Sequence, residues 1–273
     1  MKNSFLLCSL FAFIFFSCNT NSTSTTTNAD STIAKKIDTI APAIDTAGKK
    51  KIFLTFDDGP TVGSKRLYDY ILQEQLPVTL YLVGEHYGKM PLLHKEMDSL
   101  RKFPFVVMAN HSFSHAWHDR YIKFYSDPPA VIADYTKAQS VLGITSTIAR
   151  CAGRSVWRTS TLNITDSSNG PGTAMDSLYK MGYQFTGWDR TWPYDYKTFK
   201  NTKTVPEMLT IVQKYFDSSW TKTPNALVLL GHDQQFAKDE EFNQLREFVT
   251  AIKNSGKYEF ATMMDYPGIK RVK

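Results

Sequence analysis

Cysteine is scarce in this chain: only Cys8, Cys18 and Cys151 occur among 273 residues, too few for a disulfide-stapled scaffold. Concentrated positive charge is missing as well. Lys and Arg number 32 against 26 Asp and Glu, a formal net charge of +6, yet no block of five or more basic residues forms. The surplus is a diffuse field suited to anionic envelope surfaces, and nucleic acid is not an expected partner. The most apolar stretch, Phe5–Phe16, is shorter than the about 20 residues a membrane helix requires. From Asn19 to Lys49 no aromatic residue occurs, so this Ser-, Thr-, Asn-, Asp- and Ala-rich segment can bury little and reads as a flexible tether.

The N-terminus has the layout of an export signal: Lys2, then the apolar Phe5–Phe16, then Ser17-Cys18. Ser17-Cys18 is similar to the cleavage box of bacterial lipoproteins, whose Cys becomes the lipidated first residue; cleavage nearby as an ordinary secretory signal is the alternative. The expected organisation is a signal peptide over 1–17, a tether over 18–49 and a domain over 50–270. Such a protein is exported to the cell envelope and held to the membrane through Cys18. Losing Lys2 with the signal lowers the formal charge from +6 to +5. Cys151 lies in an apolar run and reads as a small buried hydrophobe.

From Lys50 onward short apolar runs predict strands near 51–57, 78–83, 105–110, 145–151, 183–189, 226–232 and 258–263. Between them lies helical spacing, as in Met208, Ile211, Val212, Tyr215 and Phe216. Strands separated by helix-length segments imply parallel pairing through right-handed crossovers. A doubly wound sheet and a barrel both satisfy this. Candidate polar groups end the first, third, fourth, fifth and sixth strands, and a barrel brings that many strand ends to one mouth. The expected fold is therefore α/β, an incomplete (β/α)7 barrel of TIM-like form.

Two strand-ending motifs carry the clearest chemistry. Thr55-Phe56-Asp57-Asp58-Gly59-Pro60 closes the first run and Asn110-His111-Ser112-Phe113-Ser114-His115 closes the third, so two carboxylates and two imidazoles can meet. His111 and His115 are spaced to share one face of a helical turn. A site of one carboxylate and two imidazoles leaves positions open for water and substrate, as catalytic zinc sites do. The turn expected at Gly59-Pro60 lets one carboxylate face the ion and its neighbour the water.

These motifs resemble those of the NodB-homology polysaccharide deacetylases, carbohydrate esterase family four, over about Lys50 to Tyr266. The resemblance implies that Asp58, His111 and His115 hold a divalent metal, zinc first with cobalt or nickel as alternatives, and that Asp57 is the general base. The family's third motif, R-x-P-x, is matched by Arg150-Cys151-Ala152-Gly153, with Ala152 in place of Pro. It implies that Arg150 pairs with Asp57 and that the Gly153 backbone N–H binds the oxyanion. Leu229-Leu230-Gly231-His232-Asp233 fits the fifth motif and makes His232 the general acid, with Leu230 beside substrate.

The fourth motif, an Asp followed by an aromatic residue, has two alignments in Trp188-Asp189-Arg190-Thr191-Trp192-Pro193-Tyr194-Asp195-Tyr196. Asp189 ends a strand and is expected to buttress His232; Asp195-Tyr196 is the other alignment. Trp157, Trp188 and Trp192 are candidates for stacking on sugar rings. The function implied is removal of acetyl groups from an N-acetylated glycan. The alternatives are a weakly active or inactive carbohydrate-binding lipoprotein and an O-acetyl (xylan) esterase.

Overall fold

Ile52 to Phe56 are all buried, and a run apolar on both faces makes a strand that must be covered on both sides. It becomes the core of β1 (Lys50–Gly59), which pairs with three other strands. The computed structural model describes residues 49–166 and 171–271. The signal peptide, Cys18 and the tether up to residue 48 lie outside the described residues. The further strands are β2 (Val78–Leu82), β3 (Val106–Asn110), β4 (Ile148–Ala149), β5 (Val156–Arg158), β6 (Asn163–Thr165), β7 (Gln184–Phe185), β8 (Arg190–Thr191), β9 (Ala226–His232) and β10 (Tyr258–Phe260). The helices are α1 (Ser64–Glu74), α2 (Gly84–Lys89), α3 (His94–Leu100), α4 (His115–Asp119), α5 (Tyr121–Tyr125), α6 (Pro128–Val141), α7 (Gly172–Lys180), α8 (Val205–Asp217) and α9 (Asp239–Ser255). Among the described residues no helix is long and apolar enough to cross a membrane.

The sheet runs β6-β5-β7-β4-β3-β2-β1-β9-β8, with β10 beside β1. From β7 to β8 all neighbours are parallel, which is the expected seven-strand incomplete barrel. The curl follows from chain length. β7 and β8 stand at opposite ends of this parallel run, yet only residues 186–189 separate them. The five steps from 185 to 190 reach at most about 18 Å, so the sheet must bend until its ends nearly meet. The predicted run at 145–151 shrinks to β4, and that at 183–189 shrinks to β7 because the chain leaves the sheet there to cross this gap. The antiparallel β5–β6 hairpin, with pairs such as Trp157↔Ile164, went unpredicted because three-residue strands are too short for periodicity to show.

Alternation along each strand sorts side chains between two layers. Ile52, Leu54 and Phe56 pack outward with residues of α1, α3, α8 and α9 such as Leu67, Met97, Val212 and Leu245. Phe53, Tyr81, Val107, Ile148 and Val228 belong to a second cluster that fills the interior. By the same parity Thr55 and Asp57 follow Phe53 up the interior face of β1, and Leu230 and His232 follow Val228 up β9.

Trp157 and Trp192, expected to stack on sugar, are both fully buried. Trp157 packs on Tyr266 with ring centroids 5.3 Å apart, and Trp192 lies 5.7 Å from Phe236 and 5.0 Å from Phe248. Their large apolar area is spent on the core, so neither can touch a glycan. Trp192→Ala is expected to cost about 3–5 kcal/mol, read from urea unfolding.

Candidate active site

The mouth of the barrel holds a cavity of about 340 Å³ lined by Asp57, Asp58, His111, His115, Gly153 and His232, among others. Asp57 and His232 are register partners on adjacent strands. Asp57 is almost fully buried, and its Oδ1 accepts from Arg150 Nη1 at 2.7 Å. Arg150 is fully buried and also donates to Thr55 Oγ1 (2.9 Å) and to the carbonyls of Thr186 (3.1 Å) and Gly187 (2.8 Å). Its guanidinium carbon lies 3.8 Å from the Tyr81 ring centroid. Its charge is balanced, each guanidinium nitrogen has a partner and one flat face is covered, which a buried cation needs.

Strict alternation would turn Asp58 away from the mouth. Two irregularities bring it back: the β1–β2 register shifts between Phe56 and Gly59, and Asp58 has φ 71°. The bulge in β1, rather than a turn at Gly59-Pro60, gives the neighbouring carboxylates one shared site. His86 Nδ1 donates to the Asp58 carbonyl at 2.6 Å, and Gln234 Nε2 to Asp58 Oδ2 at 3.1 Å.

His111 stands just beyond the end of β3 and is also buried. Its Nδ1 lies 3.1 Å from the Arg150 carbonyl; a carbonyl only accepts, so Nδ1 carries the proton and Nε2 presents its lone pair to the site. The step to His115 is not the right-handed helical turn that the spacing suggested. Ser112 has φ 72°, and His115 to Asp119 have φ 48°, 54°, 55°, 57° and 66°, a full turn of left-handed helix without glycine. Such backbone costs about 1–2 kcal/mol per residue, so it persists only where its surroundings enforce it. Asp134 of α6 supplies much of that, accepting from Phe113 N (2.6 Å), Ser114 N (3.3 Å) and Ser114 Oγ (2.6 Å). Ser114 Oγ in turn accepts from Trp117 N at 2.9 Å.

Asp58, His111 and His115 each offer a ligand atom, and these atoms lie within 4.8 Å of one another. Asp58 Oδ1 stands 3.6 Å from His111 Nε2 and 3.2 Å from His115 Nε2, yet it is buried without a hydrogen bond among the described residues. That orphaned oxygen, facing two imidazole nitrogens, is the donor set a divalent ion requires.

Residues 44–163 carry the pattern of the polysaccharide deacetylase family. The family is one of hydrolases acting on N-acetyl amide bonds. Solved structures share the fold: a Streptococcus mutans CE4 esterase is 23% identical over 79% of this chain and 86% of its own, with TM-score 0.58. The catalytic domain of a peptidoglycan N-acetylglucosamine deacetylase from Eubacterium rectale is 21% identical over 88% and 99%, also at 0.58. Bacillus subtilis PdaA, a family 4 carbohydrate esterase, is 17% identical over 80% of both chains, at 0.54. No curated protein matches the chain in sequence.

Where the family's third motif carries Pro, this chain has Ala152, and packing supports the segment instead. Ala152 is fully buried and its carbonyl accepts from Tyr125 OH at 2.8 Å. Gly153 has φ +64°, and a Cβ there would meet the Tyr121 ring at 2.6 Å, so backbone and neighbour both require glycine. Cys151 is free and buried.

Asp189 does not buttress His232. Its oxygens accept from the backbone N–H groups of Lys222 and Val228, both at 2.7 Å, and burial raises its carboxyl to about 6. Val228 lies four residues below His232 on β9, about 13 Å of strand away. Asp195, the other alignment, spends its Oδ1 on Lys197 N, Thr198 N and Thr198 Oγ1. His232 Nδ1 is buried and makes no hydrogen bond among the described residues; Tyr194 is an aromatic neighbour, centroids 5.2 Å apart. At the cavity wall stand Trp188, Leu230, Tyr121, Tyr194, Tyr196 and Phe199. Tyr121, Tyr194 and Phe199 have no role in the sequence reading, although the aromatic density of 192–199 between strands was the available signal for the last two.

Burial alone would raise the Asp58 carboxyl, but contact with His115 and the charges of His232, His115 and His111 hold it well below the usual carboxylate range. Burial pushes His111 down to about 4. Burial also opposes charge on His115, yet Asp58 and Asp119 on either side raise it to about 9. Across the neutral range Asp58 is therefore charged, His111 neutral and His115 protonated. A cation must displace the His115 proton, so zinc affinity is expected to fall about tenfold for each pH unit below about 9. Competition with a chromophoric chelator over a pH series measures this.

Proposed function

We propose that this chain is a metal-dependent hydrolase that removes acetyl groups from an N-acetylated glycan, peptidoglycan or a chitin-like oligomer, at the cell envelope. The observation that carries the reading is the Asp57–Arg150 pair beside the Asp58, His111 and His115 cluster, with His232 register-paired to Asp57. The export signal and the lipid anchor at Cys18 supply the location. A divalent ion held by Asp58, His111 and His115, zinc by the preference of that donor set with cobalt or nickel as alternatives, would supply Lewis acidity toward an acyl oxygen and water.

Arg150 holds Asp57 at the cavity floor, where it receives the proton of the attacking water. The Gly153 backbone N–H stabilises charge developing on the acyl oxygen. His232, across β1–β9, gives a proton to the departing amine, without which the amide nitrogen leaves poorly. Acetate and a free amino sugar result. Trp188 and the tyrosines of the rim are the surfaces available to a sugar ring.

A second reading, a glycan-binding lipoprotein with weak turnover, rests on His232 Nδ1, which lacks the carboxylate partner the fourth motif would supply. Acetate release from N-acetylglucosamine oligomers with added zinc separates the two. Glycan binding without turnover on any acetylated substrate would sink the first, and turnover of acetylated xylan but not chitin oligomers would make the enzyme an O-acetyl esterase. Asp57→Asn is expected to keep the ion and lower kcat by about 100- to 10,000-fold, whereas Asp58→Ala abolishes zinc uptake. Metal content and acetate release on the same preparations check both.

A further inference from the structure

Resting on the metal-dependent reading above, we propose that Asp119 and Tyr121 form a positioning clasp that presents His115 to the ion and ties the histidine turn to the Gly153 loop. Asp119 Oδ1 stands 2.6 Å from His115 Nδ1 and accepts from Tyr121 OH at 2.7 Å. A carboxylate at that nitrogen keeps a proton on Nδ1, so Nε2, 3.2 Å from Asp58 Oδ1, is the nitrogen that turns to the ion once its own proton is displaced. The two histidines are thus set by unlike means: His111 by a backbone carbonyl inside the barrel, His115 by a side chain on a strained turn.

The clasp continues across the mouth. The Tyr121 ring occupies the space a side chain at Gly153 would need, and the Arg154 guanidinium lies 5.0 Å from the same ring centroid. His115 lies 6.0 Å from that ring, centroid to centroid, at an interplanar angle of 81°. One continuous set of contacts therefore runs from His115 through Asp119 and Tyr121 to the segment following Ala152. Tyr121, together with Tyr125 on the Ala152 carbonyl, supports the segment that a proline would otherwise stiffen.

Stability does not account for Asp119. Its side chain is 66% exposed and, among the described residues, pairs with no cation other than His115, and exposed pairs of this kind contribute little to folding. It lines the cavity but stands behind His115, so it acts through that ring and not on substrate.

The test is a zinc titration of the full chain, stripped of metal, for wild type, Asp119→Ala, Asp119→Asn and Tyr121→Phe. Asp119→Ala is expected to weaken zinc about 10- to 100-fold with the unfolding midpoint of the metal-free protein unchanged. Asp119→Asn recovers most of the affinity, because the amide oxygen still accepts from Nδ1, and Tyr121→Phe falls between. Wild-type affinity in Asp119→Ala would overturn the clasp while leaving the metal site intact. Absence of zinc, cobalt and nickel binding by the wild-type chain would overturn both.

Discussion

A fully buried guanidinium is tolerable only when its charge is balanced and its donors are met, and Arg150 meets that condition by reaching across the barrel. Two of its contacts, Thr55 and Asp57, are on β1; two others are carbonyls of the segment that jumps from one edge of the sheet to the other. The same side chain thus anchors the Asp57 carboxylate and the open seam of the barrel. The position of Asp57 and the hold on the seam therefore share one side chain, and the carbonyl of Arg150 adds the tautomer of His111.

Around that anchor the regular strands supply most of the site by parity alone. Asp57, His111 and His232 continue the interior face of β1, β3 and β9, so alternation aims them at the mouth without special geometry. The other two groups of the cluster need exceptions. Asp58 is turned by a bulge and a positive φ, and His115 is delivered by a left-handed turn. Both exceptions sit beside braces from elsewhere in the chain: His86 and Gln234 on Asp58, and Asp134 on the turn. Strain of this kind belongs where ligand direction matters more than local stability.

Much of this was legible in linear form. The runs 51–57, 78–83 and 226–232 became β1, β2 and β9 because buried strands need apolar residues on both faces, which leaves a visible run. The Asp57-Asp58 and His111-to-His115 motifs were legible because each lies within a few residues. The strands β5, β6 and β8 were not, since two or three residues carry no period. Asp189 and the tryptophans misled for a different reason. A carboxylate near a strand end looks the same whether it meets a histidine or two backbone amides, and a tryptophan looks the same lining a cavity or filling a core.

Residue types and their local order determined by themselves that this chain would form an α/β barrel with acids and imidazoles at strand ends, because hydrophobic alternation and short motifs act over a few bonds. Only the tertiary structure decided which groups meet. It joined Arg150 to Asp57 and Asp119 to His115, sent Asp189 to the backbone of β9, and buried Trp157 and Trp192. Those outcomes depend on register, handedness and packing between segments far apart in the chain, where direction and distance set each interaction and composition does not record them.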